Sequence, residues 1–161
     1  MRILIISDSH GNNSAYSVIL KKEKDLDMIV HCGDISGSEY YYSQTAPCPL
    51  VMVNGNNDYS SDIPMNAQFE LGKYSVWVTH GHKNHVNFGR DWLMEEAQNR
   101  GADIVLYGHT HVPRIEYDDE RRIYAVNPGS LTYPRQEGHN PSYIIMEIDD
   151  KNEVNFSLKF L

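Results

Sequence analysis

The chain has 161 residues, of which 40% are hydrophobic and 22% charged, and its net charge is −8. This length fits one globular domain over residues 1–161, and the apolar and aromatic content excludes a disordered chain. The acidic balance argues against strong nucleic-acid binding, and no apolar run approaches the roughly 20 residues that cross a membrane. Two cysteines and no apolar leader favour a reducing, cytoplasmic location.

Short runs of wholly apolar residues predict strands buried on both faces, which are typical of a parallel sheet. These runs are Ile3–Ile6, Met28–Val30, Leu50–Val53, Val76–Val78 and Ile104–Tyr107. Helical spacing of apolar residues predicts two helices between the runs, over Ser14–Lys24 and Gly89–Arg100. In the second helix Trp92 and Leu93 are expected to face the core, and Gly101 is expected to end it.

The C-terminal third changes to an alternating pattern that predicts antiparallel strands joined by polar turns. The strands are predicted over Arg114–Tyr117, Arg122–Val126, Tyr143–Ile148 and Val154–Phe160, and Glu70–Lys73 is a further candidate turn. Together the two patterns predict an α/β sandwich of two packed sheets.

Each of the five apolar runs is followed by a polar cluster containing carboxylate, imidazole or amide side chains. Because the carboxyl ends of parallel strands share one edge of a sheet, these clusters are expected to lie close together. Such donors suit Mn²⁺, Fe or Zn²⁺, and seven are too many for one tetrahedral ion but fit two ions that share a carboxylate. The seven candidate metal ligands are Asp8, His10, Asp34, Asn56, His80, His109 and His111.

Glycines accompany these candidate ligands, which indicates sharp turns and close approach of the backbone to an ion or phosphate. Gly33, Gly55, Gly81 and Gly108 each adjoin one of the clusters. The spacings Asp8-x-His10 and His109-x-His111 are expected to place both side chains of a pair on one side of an extended segment.

In order, these blocks resemble the five motifs of the calcineurin-like metallophosphoesterases, D-x-H, G-D, G-N-H-[DE], H and G-H-x-H. The likeness covers about residues 3 to 111 and extends through Asn127–Ser130, as in the family's small bacterial and archaeal phosphodiesterases. The resemblance implies two mixed β-sheets flanked by helices, and two divalent ions with Mn favoured and Ni, Zn, Fe or Mg as alternatives. It also implies one ion on Asp8, His10, Asp34 and His111, and a second on Asp34, Asn56, His80 and His109.

One position departs from the family pattern, because Asn57 stands where many members carry a histidine. In the family that histidine is assigned to protonating the leaving group or stabilising the transition state. An amide cannot act as a general acid, although it can donate a hydrogen bond to a phosphoryl oxygen. His82 and His85 are the nearest substitutes in sequence. Asp58 is expected to orient a ligand histidine, and Arg135 to hold a phosphate oxygen through its planar guanidinium.

The leading hypothesis is a phosphodiesterase that hydrolyses small phosphate diesters with a hydroxide activated by two divalent ions. The alternatives are a phosphomonoesterase with the same site, and a non-catalytic interaction scaffold such as the retromer subunit Vps29, which shares this fold. A small phosphate ester is the expected partner, no membrane partner is expected, and a homo-oligomer is left open.

Other conspicuous residues receive simpler interpretations. His31 is expected to be a hydrogen-bonded histidine at a strand end, and Tyr40–Tyr42 a half-buried helix face with an interface. The segments Ser36–Gln44 and Val86–Gly89 are interpreted as loops that shape the substrate pocket.

Overall fold

The computed structural model of the protein describes residues 1–59 and 62–161. Within these ranges, ten strands form two five-stranded sheets, accompanied by three α-helices and one 3-10 helix over His82–Asn84. No helix in the described ranges is both long enough and apolar enough to cross a bilayer. In chain order the elements are β1 (Arg2–Ile6), α1 (Ser14–Lys22), β2 (Met28–His31), α2 (Glu39–Thr45), β3 (Leu50–Met52), β4 (Asn66–Leu71), β5 (Tyr74–Thr79), α3 (Asp91–Asn99), β6 (Ile104–Leu106), β7 (Arg114–Asp118), β8 (Ile123–Asn127), β9 (Ser142–Ile148) and β10 (Val154–Phe160).

Both sheets are mixed, with a parallel centre and antiparallel outer strands. The first sheet has the order β10-β9-β1-β2-β3, in which β1, β2 and β3 are parallel and β9 and β10 antiparallel to their neighbours. The second has the order β4-β5-β6-β8-β7, in which β5, β6 and β8 are parallel. The predicted architecture of two packed mixed sheets flanked by helices is confirmed.

Alternate residues of the central strands fill two different apolar layers. Ile5 of β1 lies in the layer between the sheets, together with Val78 of β5. Leu4 faces the other way, into a layer with Tyr16 of α1 and Tyr42 of α2. Burial on both faces explains the unbroken apolar runs, because each fully buried aliphatic side chain contributes about 1.5–3 kcal/mol to folding.

The helix boundaries differ from the predictions by a few residues. Helix α1 begins at Ser14 as predicted but ends at Lys22, and α3 begins at Asp91, two residues later than expected. Gly101 has a φ of +67°, and its amide donates to the Gln98 carbonyl at 3.0 Å. This glycine therefore ends α3, as its position in the sequence predicts.

Two sequence interpretations are wrong. Ser36–Gln44 is not simply a loop, because helix α2 begins at Glu39. In this helix Tyr42 is buried and Tyr40 is 77% exposed, which agrees with the half-buried helix face predicted for Tyr40–Tyr42. Trp92 does not face the core but is 59% exposed, since Leu93, Met94 and Ala97 form the buried face of α3, and the Trp92 ring contacts the His85 ring instead. Trp77 of β5 is the fully buried tryptophan beneath α3.

Candidate metal centre

Four of the candidate ligands come together where β1, β2 and β6 end. Asp8, His10, Asp34 and His111 each offer one donor atom, and these four atoms lie within 4.8 Å of one another. The Nε2 atoms of His10 and His111 are 3.3 Å apart, and Asp8 Oδ1 is 3.1 Å from His111 Nε2. These residues are drawn from three distant parts of the chain and form one cluster of oxygen and nitrogen donors.

Asp34 also reaches His80, which follows β5 and lies next to the two remaining candidate ligands. Its Oδ1 lies 3.5 Å from His80 Nε2, while its Oδ2 lies 3.7 Å from His10 Nε2. Asn56 Oδ1 is 3.1 Å from the same His80 nitrogen. The His109 ring centroid is 5.1 Å from that of His80. Asp34 therefore lies between the two groups of donors.

The backbone at five of the seven candidate ligands has a positive φ. The angles lie between +46° and +68°, in a region that costs most residues about 1–2 kcal/mol. The five residues are Asp8, His10, Asp34, His109 and His111. The expectation that the D-x-H and H-x-H pairs lie on extended segments is wrong, because left-handed turns direct their side chains toward the cluster.

Glycines leave room for these turns to approach one another. A Cβ added to Gly55 would lie 2.1 Å from Asp34 Oδ1, and one added to Gly108 would lie 2.0 Å from Ser7 Oγ. At Gly33, with a φ of +97°, an added Cβ would lie 2.7 Å from His80 Nδ1. Any side chain at these positions would displace a residue of the cluster.

Backbone carbonyls orient two of the histidines. His80 Nδ1 donates to the Cys32 carbonyl at 2.7 Å, and His111 Nδ1 donates to the Tyr133 carbonyl at 2.8 Å. Because the proton lies on Nδ1 in each ring, Nε2 is the atom that faces the carboxylates. Such hydrogen bonds are typical of histidines that bind metals.

The charges of the cluster shift the pKa values of its members. Burial opposes ionisation of Asp34, but hydrogen bonds from His80 and Asn57 outweigh it and lower the pKa of this carboxyl well below its usual range. Burial lowers the pKa of His109 to about 4, and the neighbouring His80 adds to this shift. Burial also lowers the pKa of His10. Burial opposes protonation of His80, but its contacts with Asp34 and Asp8 outweigh it and raise the pKa of this ring. An ionised carboxylate and neutral imidazoles are the forms that bind a divalent cation, so a bound ion would displace the proton of His80.

One buried oxygen lacks the hydrogen bonds that its burial requires. Asp8 is fully buried, and its Oδ1 accepts no hydrogen bond from any part of the chain that the structure describes. An uncompensated carboxylate oxygen is costly in the interior, and a bound cation would satisfy it. The donor set, the close approach at the glycines and this oxygen together fit a divalent metal ion.

Asn57 and Asp58 both lie beside the cluster but hold different groups. The Asn57 side-chain amide donates to Asp34 Oδ2 at 2.7 Å, and its backbone N–H donates to Oδ1 at 2.9 Å. Asp58 instead accepts from the backbone N–H groups of Gly55 at 2.8 Å and Ser36 at 2.6 Å. The expectation that Asp58 orients a histidine is therefore wrong, and this residue shapes the turn that carries Asn56.

The remaining candidates lie at different distances from the donors. The His82 ring centroid is 5.4 Å from that of His80, and its buried Nδ1 has no hydrogen-bond partner among residues 1–59 and 62–161. Burial, followed by the charge of His80, lowers the pKa of His82. His85 packs against Trp92 instead. Arg135 has an exposed side chain, and its backbone N–H donates to the His111 carbonyl at 3.0 Å.

Several residues outside the ligand set hold the ligand loops in place through side-chain hydrogen bonds. Ser130 Oγ donates to the Asp8 carbonyl at 2.9 Å, and Asn127 Nδ2 donates to the Gly108 carbonyl at 2.8 Å. Both belong to the Asn127–Ser130 block noted in the sequence. Asn87 was not anticipated, although its Nδ2 lies 2.9 Å from His109 Nε2. No spacing pattern distinguishes Asn87 from other loop asparagines.

Comparisons with known proteins place this geometry in a family. The model of the calcineurin-like phosphoesterase superfamily domain matches residues 1–151. A probable metallophosphoesterase of Bacillus subtilis, YsnB, is 33% identical over 151 residues, which cover 93% of this chain and 86% of that protein. The phosphodiesterase YfcE of Escherichia coli K12 is 29% identical, and the match covers 92% and 89% of the two chains.

Solved structures show the same fold. A predicted phosphoesterase from Streptococcus pneumoniae has a TM-score of 0.80 and 28% identity, with coverage of 99% of this chain and 97% of that one. A Vps29 variant from Entamoeba histolytica has a TM-score of 0.81 at 21% identity, with coverage of 100% and 99%. At that identity, the likeness to Vps29 concerns the fold alone.

Proposed function

The chain belongs to the calcineurin-like phosphoesterase superfamily, and from this premise we propose that it is a divalent-metal-dependent phosphodiesterase that hydrolyses small phosphate diesters. The observation that carries the proposal is the position of Asp34. Its two carboxylate oxygens lie between His10 on one side and His80 on the other, so that one residue can serve two neighbouring ions. The name of the relative YfcE supports the choice of a phosphodiesterase.

The residues divide into two sets of ligands that share Asp34. Asp8, His10, Asp34 and His111 would hold one ion, and Asp34, Asn56, His80 and His109 would hold the other. Divalent ions held by these residues would polarise a phosphate ester and lower the pKa of a bound water, with Mn²⁺ as the favoured metal. The protein contributes ionised carboxylates and imidazoles that are already oriented before an ion arrives.

Three side chains around these ligands are assigned to the substrate. Asn57 can turn an amide N–H toward a phosphoryl oxygen, since its side chain lies at the edge of the Asp34 carboxylate. His82 is the candidate proton donor for the leaving alcohol, because its Nδ1 has no partner among the described residues and its ring adjoins that of His80. Arg135 can reach a phosphate oxygen from the segment that pairs with His111.

The proposal is tested by hydrolysis of bis-p-nitrophenyl phosphate after metal removal with EDTA and return of Mn²⁺. Turnover should depend on the metal in the wild type and fall by about 100-fold or more in Asp34→Asn, because several kcal/mol of charge stabilisation are lost. Asp119→Asn, in an exposed turn, is the matched control and should keep wild-type turnover. Metal content measured on each variant reports the loss of binding directly.

Two results would redirect the assignment. Faster turnover of p-nitrophenyl phosphate than of the diester would indicate a phosphomonoesterase with the same ligands. Absence of turnover with Mn²⁺, Ni²⁺, Zn²⁺ and Mg²⁺, despite full metal occupancy, would favour a scaffold, a role for which the likeness in fold to Vps29 is the supporting observation.

A further inference from the structure

A small pocket with aromatic walls is lined by residues on both sides of Asn87 in the chain, and the Asn87 side chain contacts the candidate ligand His109. The pocket has a volume of about 230 Å³ and is lined by His85, Phe88, Gly89, Asp91 and Trp92. We refer to it as the aromatic pocket. The sequence predicts that Val86–Gly89 shapes the substrate pocket and offers His85 as a substitute acid, but the ligand and substrate roles proposed from the structure use none of these lining residues.

The aromatic pocket is exposed but belongs to a well-defined turn. Phe88 is 91% exposed, and its backbone N–H donates to the His85 carbonyl at 2.9 Å. Trp92 is 59% exposed and packs edge-on against the His85 ring, with centroids 4.7 Å apart. Val86 anchors the turn by burying its side chain against Gly81. The Trp92 ring is thus held against His85, while the Phe88 ring on the same pocket stays open to solvent.

The turn is joined directly to the metal centre. Asn87, the residue before Phe88, lies with its side-chain nitrogen 2.9 Å from His109 Nε2. Consecutive Cα atoms are about 3.8 Å apart, so the Phe88 backbone lies directly next to Asn87, the residue that contacts the candidate ligand His109. A molecule whose phosphoryl group reached the ligands could therefore extend an adjoining group over Phe88.

The residues that line the aromatic pocket determine which kind of ester group can bind there. The lining contains the apolar rings of Phe88 and Trp92, the His85 imidazole and the Asp91 carboxylate, and no lysine or arginine; the nearby Arg90 pairs with Glu116 at 2.6 Å. A second phosphate would be repelled, whereas a neutral planar ring can stack. Stacking of a base on an aromatic side chain contributes about 1–3 kcal/mol.

We propose that the aromatic pocket binds a planar aromatic ring in one ester group of the substrate, while the phosphoryl group occupies the metal centre. This inference rests on the proposed function and names the class of ester that the site prefers. A protein partner would need a contact of about 800 Å² per side, far more than four side chains around a small pocket provide.

The test measures binding to the Mn²⁺-loaded protein by calorimetry, with phosphonates that cannot be hydrolysed. Phenylphosphonate and methylphosphonate share the anionic group and differ in the ring. The wild type should bind the phenyl compound about tenfold more tightly, which corresponds to about 1.4 kcal/mol. Phe88→Ala and Trp92→Ala should each reduce this preference to about twofold or less while leaving methylphosphonate affinity unchanged.

Phe160→Ala, an exposed aromatic residue on β10 of the other sheet, is the control and should keep the full preference. A second arm compares thymidine 5′-monophosphate with deoxyribose 5-phosphate, and a ring preference there that Phe88→Ala removes would identify a nucleobase as the ring. A preference confined to the phenyl arm would identify a smaller aromatic ester.

Three outcomes separate this inference from its premise. Equal affinity of the wild type for phenyl and methyl phosphonates would overturn the aromatic pocket and leave the phosphodiesterase proposal standing. Failure to bind either phosphonate would contradict the phosphate site itself. Equal losses for both compounds in Phe88→Ala, together with a change in oligomeric state, would show instead that the turn is an interface between copies of the chain.

Discussion

At the scale of single residues, the candidate ligands occupy unfavourable backbone conformations that neighbouring loops hold in place. The Asp8 N–H donates to the Gly33 carbonyl at 3.0 Å, and the His10 N–H donates to the Asp34 carbonyl at 2.9 Å. Each positive φ costs about 1–2 kcal/mol, and this cost is tolerated only where surrounding contacts fix the geometry. The first two ligand loops are therefore joined to each other before any metal binds.

A substitution at Asn57 measures how much the hydrogen bonds around Asp34 contribute to metal affinity. Asn57→Ala removes the amide that donates to Asp34 Oδ2 but keeps the backbone N–H bond to Oδ1. Since loss of a hydrogen bond behind a metal ligand typically weakens metal affinity by about 10–100-fold, the Mn²⁺ affinity should fall by about tenfold. Calorimetric titration of Mn²⁺ into the metal-free variant gives this value.

Asn155→Ala, on the exposed side of β10, is the matched amide deletion and should bind Mn²⁺ like the wild type. An unchanged Mn²⁺ affinity in Asn57→Ala would show that Asp34 keeps its position without this amide.

At the scale of helices and strands, the sequence predicts the central strands and the location of the site well. An apolar run such as Ile3–Ile6 marks a strand because both of its faces are buried, and this requires no knowledge of its neighbours. Polar residues directly after such a run must then lie at the end of that strand. The convergence of the clusters follows from the parallel order of β1, β2 and β3 and of β5 and β6.

What the sequence does not predict depends on contacts made only in the folded protein. Trp92 has the spacing of a core residue, but the buried face of α3 is formed by Leu93, Met94 and Ala97 and leaves Trp92 outside it. Asp58 carries a carboxylate, the group that often orients a histidine ligand. In the folded protein this carboxylate instead accepts hydrogen bonds from the backbone N–H groups of Gly55 and Ser36. The left-handed backbone at Asp8 likewise depends on its hydrogen bond to the neighbouring loop.

A buried carboxylate after α1 connects this helix to three strands. Glu23 is 7% exposed in its side chain and pairs with Arg2 of β1. It also accepts from Tyr143 of β9 at 2.7 Å and from Lys159 of β10 at 3.1 Å. Burial raises the pKa of Glu23, but these three hydrogen bonds outweigh it and lower the pKa to about 2.

Glu23→Gln should lower the free energy of unfolding by about 2 kcal/mol at pH 7, because Arg2 and Lys159 lose the charge that compensates them. The wild-type contribution is fully present above the ordinary pKa of 4.5 and is lost as the pH falls toward about 2. Urea denaturation at pH 7 and pH 3 should therefore show a smaller difference between variant and wild type at pH 3.

The exposed pair Lys73–Glu153, with side chains 51% and 70% exposed, provides the control. Glu153→Gln should leave the free energy of unfolding unchanged within experimental error, since surface pairs contribute little. Equal effects of the two substitutions would show that the buried position of Glu23 has no special importance for stability.

At the scale of the whole molecule, the candidate site exists only when the two sheets are packed together. Asp8 and Asp34 follow strands of the first sheet, whereas His80 and His109 follow strands of the second. An unfolded chain cannot bring these four residues together, so a metal that binds them stabilises the packed sandwich over the unfolded chain.

The same packing buries a histidine that the proposed ligand set does not use. His31 is fully buried at the end of β2, where its Nε2 lies 3.0 Å from Ser9 Oγ and its Nδ1 accepts from the Gly33 N–H at 3.2 Å. This agrees with the expected hydrogen-bonded histidine at a strand end. Burial lowers the pKa of His31 to about 4, although the carboxylates of Asp8 and Asp58 oppose the shift.

This shift makes the metal-free protein sensitive to mild acid. An unfolded histidine takes up a proton below its ordinary pKa of 6.5, while His31 in the folded protein stays neutral down to about 4. The unfolded state therefore binds more protons in this window, and stability falls as the pH drops from 6.5 to 4. The loss from His31 can reach about 3 kcal/mol over this range.

Denaturant unfolding of EDTA-treated protein at pH 7 and pH 4.5 measures the effect without interference from metal release. His31→Gln should be less stable than the wild type at pH 7 but should lose less stability on acidification, because glutamine does not titrate. His139→Gln replaces an exposed loop histidine and should follow the wild-type pH dependence. If His31→Gln loses as much stability between the two pH values as the wild type does, proton uptake on unfolding does not arise from His31.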